Sequence, residues 1–377
     1  DVTVYKVKPR WIFVKISTDE GIEGWGEMIS GTKTETVVAG AYEIGNRLIG
    51  RNPFEIERLF QEMHRSFFRG GPINGTIVSG LEMALWDIKG KAFNVPVYEL
   101  LGGAARDKIK VYSWIGGDRP SEVAEQAQDR FDRGFTAVKM NATEELHYID
   151  SYQKVDEVVE RVASIRERFG DAMDIGVDFH GRVHKPMAKV LAKALEPFHP
   201  MFLEEVVLPE NEEHFKEVAD SVAVPLATGE RLYTRWQFKN LFKQGTVDII
   251  QPDVALCGGI LETRKIAAMA EAYDMAVAPH APYGPVALAA TLQVDSCTPN
   301  VFIQEQSLGI HYNKGFDLLD FVKNKEVFQY KDGYVDLPSK PGLGLEMDED
   351  KIKEIAQEGL IWTNPQWKNY DGTIAEW

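Results

Sequence analysis

Residues 176–182 read GVDFHGR, and the rest of the chain is organised around this stretch. An apolar run at 175–177 leads into an acid and an imidazole two residues apart. In a strand, residues i and i+2 point to the same face. We therefore predict that Asp178 and His180 project together from the end of one strand. There the carboxylate suits a hard cation, and the imidazole can move protons near neutral pH.

The stretch belongs to a series of short apolar runs separated by amphipathic segments. The runs lie at residues 109–114, 136–140, 174–178, 201–205, 225–230, 247–252, 275–279 and 301–304. Eight strands alternating with helices predict an α/β protein with a (β/α)₈-type barrel, a modified TIM barrel. The runner-up is an open doubly wound sheet, which would want a glycine-rich phosphate turn after an early strand. No GxGxxG motif occurs in the sequence.

The flanking regions have a different pattern of apolar and polar residues. The first 30 residues alternate as strands do, and the periodicity from about residue 36 to 91 is helical. Beyond the barrel, a tail with several tryptophans would be costly in water, so we expect it to pack back on the cap or the barrel. The predicted regions are an α+β capping domain at 1–107, the barrel at 108–322 and a C-terminal segment at 323–377 that completes the cap.

Composition limits the possible partners. The chain of 377 residues has 42 Lys and Arg against 58 Asp and Glu, a net charge of -16. This charge argues against nucleic acid and anionic membranes as main partners. Cys257 and Cys297 form no CxxC pair and no disulfide framework, and no run of 18 apolar residues occurs. We expect a cytoplasmic protein that acts on a small molecule.

Three carboxylates close successive strands of the predicted barrel. Asp178, Glu204 and Glu230, which we call the acid trio, are separated by two steps of 26 residues, about one strand–helix repeat each. Barrel active sites lie at the C-terminal ends of the strands, so the trio should converge. Three unpaired carboxylates in a partly dry mouth would repel each other and take up protons. A Mg²⁺ ion with oxygen ligands removes that conflict.

The next three strand ends supply groups for proton transfer. Asp253, His280 and Glu305 follow at further steps of about one repeat. A carboxylate beside an imidazole fixes its tautomer and raises its basicity, which favours His280 as a base. Lys139 is another candidate base. However, Asn141 shares its face, so the Lys-x-Lys pair that would lower an amine pKa is missing.

The order of these groups resembles the enolase superfamily, mandelate racemase-like branch. The resemblance covers nearly the whole chain and extends to the bacterial D-galactonate dehydratases of that branch. It is carried by the segments 9–11 (PRW), 69–72 (RGGP), 84–91 (ALWDIKGK), 113–120 (SWIGGDRP), 178–183 (DFHGRV), 229–231 (GER), 310–315 (IHYNKG) and 375–377 (AEW).

The resemblance implies a role for each candidate residue. The acid trio would bind one Mg²⁺ per subunit. His280, with Asp253 behind it, would take the proton from C2 of the substrate. His180 would protonate the leaving 3-hydroxyl. Glu305, in its protonated form, would donate a hydrogen bond to the enolate that Mg²⁺ stabilises.

The implied reaction is the dehydration of D-galactonate to 2-dehydro-3-deoxy-D-galactonate. The alternatives are an aldonate such as gluconate, a 2-hydroxy-acid racemase or epimerase, and a sugar-acid binder without turnover. A racemase needs bases on both faces of C2, and Asn141 counts against it. A homo-oligomer is expected. The loop at 27–32 should close over the far end of the sugar, although this loop and Val206 depart from the family pattern.

Overall fold

The computed structural model describes residues 1–29, 31, 33–65, 69–360 and 362–376. Several predictions concern residues outside this range. They concern Ser30 and Thr32 in the loop at 27–32, Phe67 and Phe68 in the loop that the sequence FFRGGP at 67–72 predicts between two helices, and the terminal Trp377 in the segment 375–377.

The N-terminal region is a three-stranded antiparallel sheet with helices packed on it. Its strands are β1 (Val2–Val7), β2 (Trp11–Ser17) and β3 (Glu23–Ile29), in that order across the sheet. Its helices are α1 (Thr34–Gly45), α2 (Ile56–His64), α3 (Gly71–Phe93) and α4 (Val97–Leu100). Helix α3 approaches β3 so closely that a Cβ atom at Gly26 would lie 1.8 Å from the carbonyl oxygen of Gly80.

The predicted barrel is confirmed. Within the described residues, eight parallel strands follow each other around it in the order β11-β4-β5-β6-β7-β8-β9-β10. A parallel bridge between Val277 and Val301 closes the ring. The strands are β4 (Lys108–Ile115), β5 (Ala137–Asn141), β6 (Asp174–Asp178), β7 (Phe202–Glu204), β8 (Leu226–Thr228), β9 (Ile249–Ile250), β10 (Ala276–Val277) and β11 (Gln304–Gln306).

The eighth strand lies later in the chain than the prediction of 301–304. The apolar residues before Gln304 make only a local contact with β10, where Phe302 N–H donates to the carbonyl of Val277 at 3.0 Å. The regular ladder pairs Gln304–Gln306 with β4 instead. The apolar run therefore identified the buried residues that precede this strand, whereas the backbone hydrogen bonds to β4 define the strand itself.

Amphipathic helices surround the barrel. In α7 the buried residues Met187, Leu191 and Leu195 recur every fourth position, which gives the helix one apolar face. The barrel helices are α5 (Val123–Asp132), α6 (Tyr152–Phe169), α7 (Lys185–Leu195), α8 (Phe215–Ala219), α9 (Thr234–Gln244), α10 (Ile260–Glu271) and α11 (Pro285–Ser296). None of the described helices is long and apolar enough to cross a lipid bilayer.

The C-terminal region contacts both other parts. It contains β12 (Tyr330–Lys331), β13 (Tyr334–Asp336) and α12 (Glu349–Ala356). Strand β13 pairs antiparallel with β4 of the barrel. The Glu349 side chain on α12 accepts hydrogen bonds from Tyr5 Oη at 2.7 Å and Lys15 Nζ at 2.8 Å in the N-terminal sheet. The domain limits at residues 107 and 322 stay predictions.

Buried carboxylates join the N-terminal region to the barrel. Glu82 on α3 accepts the backbone N–H groups of Ile260 at 2.7 Å and Leu261 at 3.0 Å, in the first turn of α10. Trp86 Nε1 donates to the same carboxylate. Burial raises the pKa of Glu82 to about 8. Glu27, within β3, accepts hydrogen bonds from backbone N–H groups at the N-terminus of α11 in the same way. Backbone N–H groups in the first turns of α10 and α11 thus find their acceptors in acids of the N-terminal region.

We predict that Glu82→Ala lowers the free energy of unfolding by about 1–3 kcal/mol, because it leaves buried N–H donors without an acceptor. Glu82→Gln should lose less, since its amide oxygen can still accept. Denaturant unfolding of the three proteins measures the difference. An alanine variant as stable as the parent would show that this contact does not stabilise the packing of the N-terminal region against the barrel.

Candidate active site

The acid trio meets at one mouth of the barrel. Asp178 and Glu204 are the last residues of β6 and β7, and Glu230 lies two residues beyond the end of β8. One carboxylate oxygen of each lies within 4.8 Å of the others. Asp178 is 1% exposed and Glu204 is 0% exposed. The repeat spacing thus brings together three acids that are 26 residues apart in the chain.

Electrostatics make this cluster suitable for a cation. Burial, and then the charge of Glu204, raises the pKa of Asp178 well above its usual range. Burial and the charge of Glu205 raise the pKa of Glu230 to about 7. Oxygen donors that are close, buried and mutually repulsive are the ligand set that a hard divalent cation prefers. The residues present therefore fit such an ion.

Lys139 is a central member of the site, although sequence reasoning treated it only as a weak candidate base. Its Nζ lies 2.7 Å from Glu204 Oε1 and 3.0 Å from Glu305 Oε1. Burial alone would lower the pKa of Lys139, but the charges of these two acids raise it well above its usual value. Lys139 is therefore an ammonium ion. A lysine inside the apolar run 136–140 was the signal that could have indicated a buried ion pair.

His280 and Asp253 form the predicted pair. His280 Nδ1 lies 2.7 Å from Asp253 Oδ2, so the acid holds the proton on Nδ1. Nε2 then faces the acids of the mouth, 3.3 Å from Glu230 Oε2 and 3.8 Å from Glu305 Oε2. Burial alone would lower the pKa of His280, but Glu230, Glu305 and Asp253 raise it to about 10.

The protonation of Glu305 in the substrate complex stays a prediction, and the protein alone favours the ionised form. Burial favours the neutral acid, but the charges of Lys139 and His280 outweigh it and lower the pKa of Glu305 below its usual range. Ala281 N–H also donates to its Oε2 at 2.8 Å. Glu305 is therefore an acceptor here, and Lys139 is the donor beside it.

His180 reaches the mouth by a route different from the predicted one. Strand β6 ends at Asp178, and His180 and Gly181 have φ angles of 56° and 59°. The rule that residues i and i+2 of a strand share a face therefore does not apply to Asp178 and His180. Instead, Asp178 Oδ1 accepts the backbone N–H of His180 at 2.5 Å. A left-handed conformation at a non-glycine residue costs on the order of 1–3 kcal/mol, and such strained residues cluster at active sites.

Two arginines surround His180. Arg182 Nη2 lies 3.0 Å from His180 Nδ1. A guanidinium only donates, so Nδ1 is the acceptor and a neutral ring carries its proton on Nε2. Arg231 Nη2 donates to the His180 carbonyl at 3.1 Å, and its Nε pairs with Glu205. Burial, followed by the charges of Arg182 and Arg231, holds the pKa of His180 well below its usual value.

The side chains described above line, or lie behind, the wall of one pocket of about 470 Å³. Glu204 and Asp253 lie behind its wall, where they contact Lys139 and His280. The pocket can hold a metal ion and exchange protons with a small anion. The predicted site residues that line it are Asp178, His180, Glu230, His280 and Glu305.

The sequence matches two family descriptions. Residues 3–102 match the family described as mandelate racemase / muconate lactonizing enzyme, N-terminal domain. Residues 122–351 match the family described as enolase C-terminal domain-like. The two matches together span most of the chain.

Full-length relatives include two proteins named D-galactonate dehydratase. The protein from Variovorax paradoxus (strain S110) is 51% identical over 374 residues, which are 99% of this chain and 98% of that one. The protein from Cronobacter sakazakii (strain ATCC BAA-894) is 51% identical over 377 residues, with 100% and 99% of the two chains covered.

Solved structures resemble the fold closely. An enolase from Agrobacterium radiobacter, with Na and L-malate bound and an ordered active site, has a TM-score of 0.90 at 33% identity and covers 100% of this chain and 98% of its own. A member of the enolase superfamily from Salmonella Typhimurium has a TM-score of 0.84 at 31% identity, with 94% and 97% covered. The chain therefore belongs to the enolase superfamily, in its mandelate racemase and muconate lactonizing enzyme branch, and is an enzyme of the hydro-lyase class.

Proposed function

We propose that this hydro-lyase dehydrates a sugar acid, D-galactonate, to 2-dehydro-3-deoxy-D-galactonate. One observation carries the proposal. A single pocket contains a carboxylate cluster that fits a divalent cation. His180 and His280, whose surroundings differ, line the same pocket. The D-galactonate dehydratases that are 51% identical over the full chain support the substrate.

The acid trio would hold Mg²⁺. The Agrobacterium radiobacter relative, with Na and L-malate bound, supports an organic acid and a cation in this fold. Bound Mg²⁺ would stabilise the negative charge that develops on the substrate carboxylate when the C2 proton leaves. Lys139 adds a fixed positive charge in the pocket wall, and preorganised charge of this kind lowers the barrier.

His280 would be the general base. Asp253 holds one ring proton on Nδ1, so Nε2 is the nitrogen that can take the C2 proton. The charge of Glu230 is the first of those that raise the pKa of His280, and it would be offset once the acid trio holds Mg²⁺, which leaves Nε2 unprotonated. The same contact fixes the orientation of the ring. A positioned general base typically contributes about 10²–10⁴-fold to the rate.

His180 would be the general acid. Arg182 donates to Nδ1, so the proton that His180 can give is on Nε2, and the guanidinium would offset the negative charge that this transfer leaves on the ring. The C3–O bond breaks as this proton reaches the leaving hydroxyl, which departs as water. The enol that remains then becomes the 2-keto acid. Arg231 and Asp178 hold the His180 backbone in the turn that presents the ring to the pocket.

A panel of aldonates tests the substrate. We expect the highest kcat/KM with D-galactonate, measured as formation of a 2-keto acid, and a lower value with D-gluconate, its C4 epimer. Turnover of D-gluconate or five-carbon acids alone would contradict the substrate while leaving the dehydration in place. Inverted substrate without a keto acid would show a racemase, and binding without any turnover would show a sensor.

The two histidines should separate the two halves of the reaction. We predict that His280→Asn slows exchange of the C2 hydrogen with solvent deuterium by about 10²–10⁴-fold. His180→Asn should block dehydration yet still permit exchange, because the base is intact. NMR of recovered substrate and a keto-acid assay measure the two steps, with His214→Asn outside the pocket as control. Loss of exchange in the His180 variant alone would reverse the roles.

A further inference from the structure

We propose that Arg10 and Tyr283 form a subsite that binds the substrate hydroxyl groups beyond C3 and selects the length and configuration of the sugar acid. The inference rests on the proposed function, since it places the reacting carbons between the two histidines. It concerns residues that the acid trio and the proton-transfer groups do not include.

Arg10 sits in a cage of aromatic rings at the pocket. Its guanidinium carbon lies 4.5 Å from the ring centroid of Tyr312, 5.3 Å from that of Tyr283 and 5.8 Å from that of Trp362. We call these four residues the Arg10 cage. They come from the N-terminal region, two barrel loops and the C-terminal tail, and all four line the pocket of the acid trio.

The Arg10 guanidinium keeps unused donors. Nη2 donates to the Pro282 carbonyl at 2.6 Å, and Nε lies 3.5 Å from Asn313 Oδ1. Across the described ranges of the chain, no carboxylate forms an ion pair with Arg10 and no group accepts from Nη1. Aromatic faces offset only part of the cost of a buried cation. Among the described residues Nη1 therefore has no acceptor, and the Arg10 side chain lines the pocket.

Tyr283 presents a second such group. Its ring lies edge-on to the ring of His280, with centroids 5.8 Å apart. Its hydroxyl makes no hydrogen bond to any residue that the structure describes, and the side chain lines the pocket. Burial raises the pKa of Tyr283 well above its usual value, so the phenol stays neutral and can both donate and accept. Two groups able to hydrogen-bond thus line the pocket, and one of them, Tyr283, lies next to the proposed base.

The connectivity of a sugar acid brings its distal end to these groups. Under the proposed function, the carboxylate end faces the acid trio and Lys139, and C2 and C3 lie between His180 and His280. The carbons beyond C3 must then extend along the remaining lining, which includes the Arg10 cage. Polyol oxygens accept from Arg Nη1 and exchange hydrogen bonds with a phenol, while aromatic faces pack against the C–H groups of the chain.

The test compares a long and a short acid. L-threonate has the configuration of D-galactonate at C2 and C3 and ends at C4. We expect Tyr283→Phe and Arg10→Met each to lower kcat/KM for D-galactonate by about 5- to 150-fold, the range for one lost hydrogen bond. For L-threonate the change should stay within about twofold. If its turnover is too slow, its inhibition constant against D-galactonate replaces kcat/KM.

Tyr273→Phe, which removes a phenol outside the pocket, is the matched control. Equal losses with both acids would show that Arg10 and Tyr283 only hold the Pro282 segment, and no loss with D-galactonate would also overturn the subsite. If the parent protein fails to dehydrate D-galactonate, the proposed function fails by itself. The affinities of both acids for the parent and variants, measured by calorimetry with Mg²⁺, then decide the subsite: weaker binding of the longer acid alone supports it, and unchanged binding contradicts it.

Discussion

Repulsion among three carboxylates is the constraint on which the rest of the site depends. Their oxygens meet within 4.8 Å, and two of the three residues are almost completely buried. Parallel strands force this meeting because their C-terminal ends share one mouth. Lys139 offsets part of the charge, since it pairs with Glu204. Arg231 offsets another part, since its Nη2 lies 3.8 Å from Glu230 Oε1. The remaining negative charge is what a divalent cation would neutralise.

The strand–helix repeat made much of this predictable. One repeat of about 26 residues places successive strand ends side by side, so Asp178, Glu204 and Glu230 could be identified by spacing alone. The neighbouring pair of Asp253 and His280 followed from the same rule and is present at 2.7 Å. The barrel itself was predictable because buried strands read as short apolar runs.

Other features could not be read from spacing. The rule that i and i+2 share a face applies only while a strand continues, and β6 ends at Asp178. The ionisation of Glu305 depends on Lys139, which lies 166 residues earlier in the chain. The Arg10 cage joins residues 10, 283, 312 and 362, and no local pattern links them. Such contacts arise only when distant segments pack together.

Metal binding tests the central claim most directly. Calorimetric titration with Mg²⁺ should show one ion per chain for the parent protein and a large loss of affinity for Asp178→Asn and Glu230→Gln. Asp174→Asn, at the opposite end of β6 and paired with Lys110 outside the mouth, should bind Mg²⁺ as the parent does. Undiminished Mg²⁺ affinity in the Asp178 and Glu230 variants, or no binding by the parent, would contradict the account.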